Sequence, residues 1–316
     1  MTEDVPIALM IFNRPDLTQL IMDQLAKAKP PILYVIADGA RNEEELWKCT
    51  RAREIALNPT WSCKVVPFLR DLNVGMVKQF KEGLDFVFNE HESLIFMEDD
   101  HLLSPSFYSF AKHLLKKYNN DKRIGHINLS NLNPYFTEDY KESYLYSRHF
   151  FVWGFATWKR VWKTYDISMP EWNKINQLDL LKKFCFSSRE RKSIKKMFDL
   201  HSENQNPWTY DYQYMFNCLN RDTFAITPTK NLCKNIGFER DDATHNKGHN
   251  PFTFPLEELL APIISPHKVK RDRKFDHYLS KEICPSTINM LIRRVSNKII
   301  SYSDKLLPTL QKRIIE

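Results

Sequence analysis

Glycine is scarce in this chain, 7 of 316 residues, and no Gly-rich, repeated or biased stretch interrupts it. That excludes flexible linkers, low-complexity tracts and repeat arrays. No apolar run approaches the roughly 20 residues that cross a bilayer. Glu3 and Asp4 precede the first apolar run, at 7–12, so the basic start and long apolar core of a signal peptide are missing. The expectation is a cytoplasmic chain, at most peripheral on the inner face of a membrane. The six cysteines (49, 63, 185, 218, 233 and 284) form no C-x-x-C pair, which argues against a zinc ribbon and for reduced, mostly buried thiols. A net charge of +7 suggests a polyanion partner until it is mapped. Residues 267–316 hold 12 Lys and Arg against 5 Asp and Glu, which leaves 34 of each sign in the other 266 residues. A body without net charge excludes a nucleic-acid surface, and the excess belongs to the tail alone.

What the chain does have is apolar and aromatic mass, 42% and 13% of its residues, enough to pack a large core. Through residue 130, short apolar runs alternate with helical patterns. The runs fall at 7–12, 32–37, 64–69, 94–97 and 124–129; Leu17, Leu20, Ile21, Gln24 and Leu25 follow helical spacing between them, as do Val77, Phe80, Leu84 and Val87. Strands joined by helices give an α/β fold, a Rossmann-like, mostly parallel sheet covered on both faces. Beyond residue 130 the pattern turns to aromatic loops, short strand candidates at 143–146 and 223–226, and basic helices near 189–198. The organisation read from this is a nucleotide-binding half (1–130), an acceptor-binding and catalytic half of the same domain (131–266), and a basic tail (267–316). In the tail Ile288, Leu291, Ile292, Val295 and Ile299 share a helical face. Such a helix suits either an anionic membrane surface or ordinary packing on the body.

Glu98-Asp99-Asp100 is one of two runs of three acids; the other, Glu43-Glu44-Glu45, opens a helix and meets its dipole. Position gives the first its interest. It follows the buried-strand pattern Ser93-Leu94-Ile95-Phe96-Met97, and open α/β sheets bind ligands outside the carboxyl ends of their strands. Acids there suit a hard divalent cation and the phosphates it holds; a solvated turn is the alternative. Asn73-Val74-Gly75 precedes a helix, and its amides together with Lys78 are placed to meet phosphate. Trp153 and Phe155 offer stacking faces to a sugar, or core.

The run from Met97 through Glu98-Asp99-Asp100 to Ser104-Pro105-Ser106-Phe107-Tyr108 resembles the acidic motif of the N-acetylglucosaminyltransferase I family. The likeness continues in order through Phe12-Asn13-Arg14-Pro15, Ala37-Asp38-Gly39, the loop from Ser147 to Trp153 and Gly154, Trp208-Thr209-Tyr210-Asp211-Tyr212, and the stretch from Lys234 to His245. The resemblance implies a GT-A glycosyltransferase that uses a nucleotide-sugar donor, UDP-linked by preference, with Mn2+ or Mg2+. It places Asp100 on the metal, Glu98 and Asp99 on donor hydroxyls, and Arg14 and Asp38 at the nucleobase. Lys78, Trp153, Gly154 and His245 complete the donor side. Asp211 becomes the general base for direct displacement with inversion, acting on a saccharide or lipid-linked saccharide in surface polysaccharide or glycolipid synthesis. The family carries adjacent acids after its Trp where this chain has Thr209 and Tyr210. Two rival readings are a metal-dependent nucleotidyltransferase on a similar sheet and a non-catalytic glycan-binding protein at a membrane surface.

Overall fold

A five-residue run in which every side chain is apolar is stable only as a strand covered on both faces. All five residues of β1 (Ile7–Ile11) are indeed buried. In the computed structural model, which describes residues 4–204, 207–238, 240 and 252–284, β1 is followed by α1 (Pro15–Ala28), β2 (Ile32–Ala37), α2 (Glu43–Leu57), β3 (Lys64–Leu69), α3 (Met76–Glu90) and β4 (Ser93–Glu98). Next come the short β5 (His101–Leu103), α4 (Phe107–Lys117), β6 (Ile124–Asn128), β7 (Tyr144–Ser147) and β8 (Phe155–Trp158). The chain then runs through α5 (Lys159–Trp162), α6 (Gln177–Phe184), α7 (Ser188–Glu203), α8 (Asp211–Asn220), β9 (Phe224–Pro228), β10 (Cys233–Asn235) and α9 (Arg273–Ile283). The strands expected in the first 130 residues are therefore present, with ends shifted by a residue at most.

Eight strands form one sheet in the order β3-β2-β1-β4-β8-β6-β9-β7. β1 to β4 are mutually parallel, β6 and β9 run with them, and only β8 and β7 run against. The expected α/β architecture with a mostly parallel sheet is what the chain adopts. From β1 the chain steps outward to β2 and β3, then returns to place β4 on the other side of β1. The loops leaving β1 and β4 diverge at this switch point and open a crevice between them. A separate antiparallel ribbon pairs β10 with β5 and sets Asn235 opposite His101.

Local chemistry accounts for the element ends. Asn42 caps α2 by accepting from the Glu45 amide at 3.0 Å, and Glu43, Glu44 and Glu45 sit in its first turn, where the helix dipole favours them. At the sheet edge, the Lys64 and Arg70 amides both point inward to Pro31 O and Ala37 O (2.8 and 2.9 Å), so alternation turns Pro67 outward. Proline at that place removes an outward donor and guards the edge from pairing with another chain. All six cysteines are free, and Cys49, Cys185, Cys218 and Cys233 are buried. Among the described residues no helix is long and apolar enough to cross a membrane.

The first part of the basic tail packs on the body. Phe275 and Leu279 of α9 meet Leu132 and Leu145 in a small second core. Between them Asp276, fully buried, accepts from Ser147 Oγ (2.6 Å), the Arg148 amide (3.1 Å) and Arg271 Nε, and Arg271 goes on to donate to the carbonyls of Lys183 and Phe184. The apolar stripe from Ile288 to Ile299 lies outside the described residues. Removing the Asp276 carboxylate leaves the Arg271 guanidinium nearly buried without its counter-charge. Asp276→Ala should therefore lower unfolding free energy by about 3 kcal/mol in urea titrations, whereas a loss within experimental error would mean that α9 is not held by this carboxylate.

Candidate active site

The crevice at the β1/β4 switch point is a cleft of about 1020 Å³. Its floor is the end of β4 and the two residues beyond it. The Asp99 amide donates to Met10 O at 3.1 Å, which ties this turn to β1, and the Ile236 amide donates to Asp100 O at 2.8 Å from the strand ribbon. Glu98, Asp99 and Asp100 thereby all line the cleft.

Their partners differ. The Asp100 carboxylate accepts from Arg14 Nη1 and from Asn235 Nδ2, each at 3.2 Å. Asp99 accepts from the Phe12 amide at 3.4 Å, and its pKa is pushed up to about 7, first by burial and then by the Asp100 charge. Glu98 is raised well above the usual carboxylate range by burial, then by Asp100, Asp211 and Asp99; a hydrogen bond from the Tyr210 hydroxyl opposes the shift. That Tyr210 link joins the cluster to the opposite wall. Its ring lies flat on Phe80 at 3.7 Å between centroids, and the next residue, Asp211, begins α8 with its carboxylate accepting from Thr209 Oγ1 at 2.7 Å.

His101 completes a group whose ligand atoms, with those of Glu98 and Asp100, lie within 4.8 Å of one another. The tautomer decides its part. Nδ1 accepts the Glu98 amide at 3.0 Å and so carries no proton, and burial depresses the pKa and keeps the ring neutral, which puts the proton on Nε2. Nε2 stands 3.5 Å from Asp100 Oδ1 and 3.6 Å from Glu98 Oε2 and makes no hydrogen bond. A protonated nitrogen has no lone pair for a metal. The atoms that fit a cation are thus the hard carboxylate oxygens of Glu98 and Asp100, with the buried His101 ring beside them.

Of the residues singled out by sequence, Arg14, Asp38, Lys78, Glu98, Asp99, Asp100, Trp153 and Asp211 all line this one cleft. Gly154 does not. It has φ +64°, and a side chain there would press on Cys233 at 2.8 Å, so glycine is needed for close packing behind the wall. Phe155, the second candidate stacking face, is a fully buried core residue. His245 lies outside the described residues. The Asn73-Val74-Gly75 turn also differs from its sequence reading. The Val74 and Gly75 amides donate to Asp38 (2.9 Å each), as do the Gly39 amide (2.9 Å) and Asn73 Nδ2 (3.0 Å). Those two amides are engaged by Asp38, whose carboxylate accepts four hydrogen bonds and organises the loop at the cleft's edge. Sequence reasoning missed His101, Asn235 and Tyr210 as members of the site. All three fall inside stretches that carry the family resemblance, which gave none of them a role of its own.

No family model matches the chain, and no curated protein does. Among solved structures it is similar to a mannosyltransferase from Pyrobaculum calidifontis in complex with GDP-Man and Mn2+, at 10% identity over 68% of this chain and 69% of that one, with a TM-score of 0.38. A UDP-glucose pyrophosphorylase complexed with UDP-glucose matches at 12% identity over 45% of this chain and 62% of that one, TM-score 0.25. A thymidylyltransferase from Bacillus anthracis, named as putative and in complex with a sucrose, matches at 9% over 66% and 99%, TM-score 0.33. Likeness at these scores defines no chemistry, and the functional reading rests on the cleft.

The Asp99 shift has a sign that can be checked. Its folded pKa lies above the ordinary 3.8, so the ionised carboxylate opposes folding once pH exceeds about 4, increasingly up to about 7. In EDTA, Asp99→Asn should stabilise the protein by at least about 1 kcal/mol at pH 8 and not at pH 4. A destabilised variant at pH 8 would contradict the crowding of charge described above.

Proposed function

We propose that the chain is a GT-A glycosyltransferase that moves a sugar from a UDP-sugar to a saccharide acceptor, by direct displacement with inversion. The observation that carries this reading is the pairing, in one cleft, of an acid cluster at the sheet's switch point with a separate carboxylate, Asp211, held across from it through Tyr210 and Glu98. The ordered motif likeness to the N-acetylglucosaminyltransferase I family supports the same assignment.

Glu98 and Asp100 would hold Mn2+ or Mg2+, which supplies positive charge to the diphosphate as it leaves. Arg14, within reach of Asp100, is placed to turn toward a phosphate. Lys78 adds a cation at the same cleft, its side chain 59% exposed. Asp211 takes the proton from the attacking acceptor hydroxyl, and Thr209 fixes the orientation of its carboxylate. Attack from the face opposite the leaving group gives inversion. A base of this kind separates glycosyl transfer from nucleotidyl transfer: a sugar phosphate attacks as an anion and needs no carboxylate to deprotonate it. The setting we propose is the inner face of a membrane, where surface polysaccharide or glycolipid is extended.

In calorimetry UDP should bind in the presence of Mn2+, and Asp100→Ala should weaken that binding by more than about tenfold. Asp211→Asn should leave UDP affinity intact and lower kcat by about a hundredfold or more, with the donor found by screening UDP-sugars for slow hydrolysis. Near-normal turnover in the Asp211 variant would remove it as the base.

A further inference from the structure

Two stretches of the chain are strongly basic, and the fold brings them together. Residues 182–196 hold seven Lys and Arg against one acid, Glu190, and residues 268–274 hold five against one, Asp272. The second stretch leads into α9, which packs against the junction of α6 and α7. Arg271 donates to the carbonyls of Lys183 and Phe184 at 2.9 and 2.8 Å, the guanidiniums of Arg271 and Arg273 lie over the Phe186 ring at 4.8 and 5.4 Å, and Ser280 Oγ donates to Glu190 Oε1 at 2.7 Å. We infer that the basic face shared by α7 and α9 is a docking surface for an anionic lipid bilayer.

Helical spacing turns these cations outward. Arg189, Lys192 and Lys196 follow one another at three and four along α7, Lys274, Tyr278 and Lys281 at four and three along α9, and all six are exposed. The acids among them turn the other way. Glu190 is buried and accepts from the Phe186 amide and Ser280, Asp276 is buried against Ser147, Arg148 and Arg271, and Asp272 caps α9. Clustered Lys and Arg gain from approach to anionic headgroups, and their contributions sum. The exposed Tyr278 and Ile283 favour a bilayer over a nucleic acid, because an amphipathic ring and an apolar side chain beside cations suit the headgroup boundary. The sequence after Cys284 keeps the same sign, with six Lys and Arg against two acids in residues 285–316. Met197 of α7 also lines the cleft, so docking on this face brings the cleft to the lipid; that a lipid-linked saccharide is met there rests on the glycosyltransferase reading.

The test is co-sedimentation of the full chain with vesicles of phosphatidylcholine, alone or with about one-third phosphatidylglycerol, at about 0.1 M salt. The chain should pellet with the anionic vesicles and stay in solution with the neutral ones. Lys192→Glu with Lys196→Glu, and separately Lys274→Glu with Lys281→Glu, should each weaken partitioning by about tenfold or more. The same charge change on α2 and β3 at the far end of the sheet, Lys48→Glu with Lys64→Glu, should weaken it by less than about threefold. Circular dichroism should show all three double variants folded. No binding of wild type to the anionic vesicles overturns the inference, as does equal binding to the neutral ones. So does an equal loss in the α2 and β3 variant, which would leave net charge as the whole effect, or tighter binding to double-stranded DNA than to the anionic vesicles at the same salt. Calorimetry with UDP and Mn2+ keeps the two readings apart: failure of UDP to bind wild type sinks the glycosyltransferase reading, and the vesicle result stands or falls by itself.

Discussion

Repulsion among carboxylates crowded at the carboxyl end of β4 is the constraint on which this site depends. Four acids face one another across a cleft, and like charges at such separations in a poorly solvated place are kept together only by compensating groups. The protein supplies some compensation itself: Arg14 and Asn235 to Asp100, the Phe12 amide to Asp99, the Tyr210 hydroxyl to Glu98. It does not supply enough. The raised pKa values of Glu98 and Asp99 express burial first and the neighbouring negative charge second, and a divalent cation is the simplest species that would offset both.

Other buried acids show what a fully compensated carboxylate looks like. Asp38 receives four hydrogen bonds from the loop it organises, and Asp276 is matched by a hydroxyl, an amide and a guanidinium. Asp38 lines the same cleft as the acid cluster, yet its own loop fills its acceptors. The contrast lies in the donors each carboxylate receives, and the cation proposed for the cluster would supply what its donors do not. The pair Tyr210 and Asp211 adds to the contrast: one residue donates to the cluster, and its neighbour, set on the first turn of α8, brings a further acid to the same cleft.

How much of this was legible in the sequence follows from how local each feature is. β1, β2 and β4 are covered on both faces, so their sequences are unbroken apolar runs, and the triplet after β4 marks a strand end directly. β5 and β10 are three residues each and hold His, Lys and Asn, so no periodicity announces them; that Asn235 reaches Asp100 follows only from their pairing. Asp38 was legible as a strand-end acid, but its use was not, because the donors that fill it come from a turn 35 residues away that folds back on it. Gly154 followed from motif likeness and proved to be a packing position. The aromatic wall was visible as composition, but that Trp208 stays partly exposed in the cleft while Tyr210 is buried follows only from the tertiary packing.

The most direct measurement is electron paramagnetic resonance of Mn2+ titrated into the protein with and without UDP. One ion should bind per chain, held weakly by Glu98 and Asp100 alone and more tightly once a diphosphate shares it. No bound ion, or an affinity indifferent to UDP, would contradict the view that this acid cluster exists to hold a cation against a leaving diphosphate.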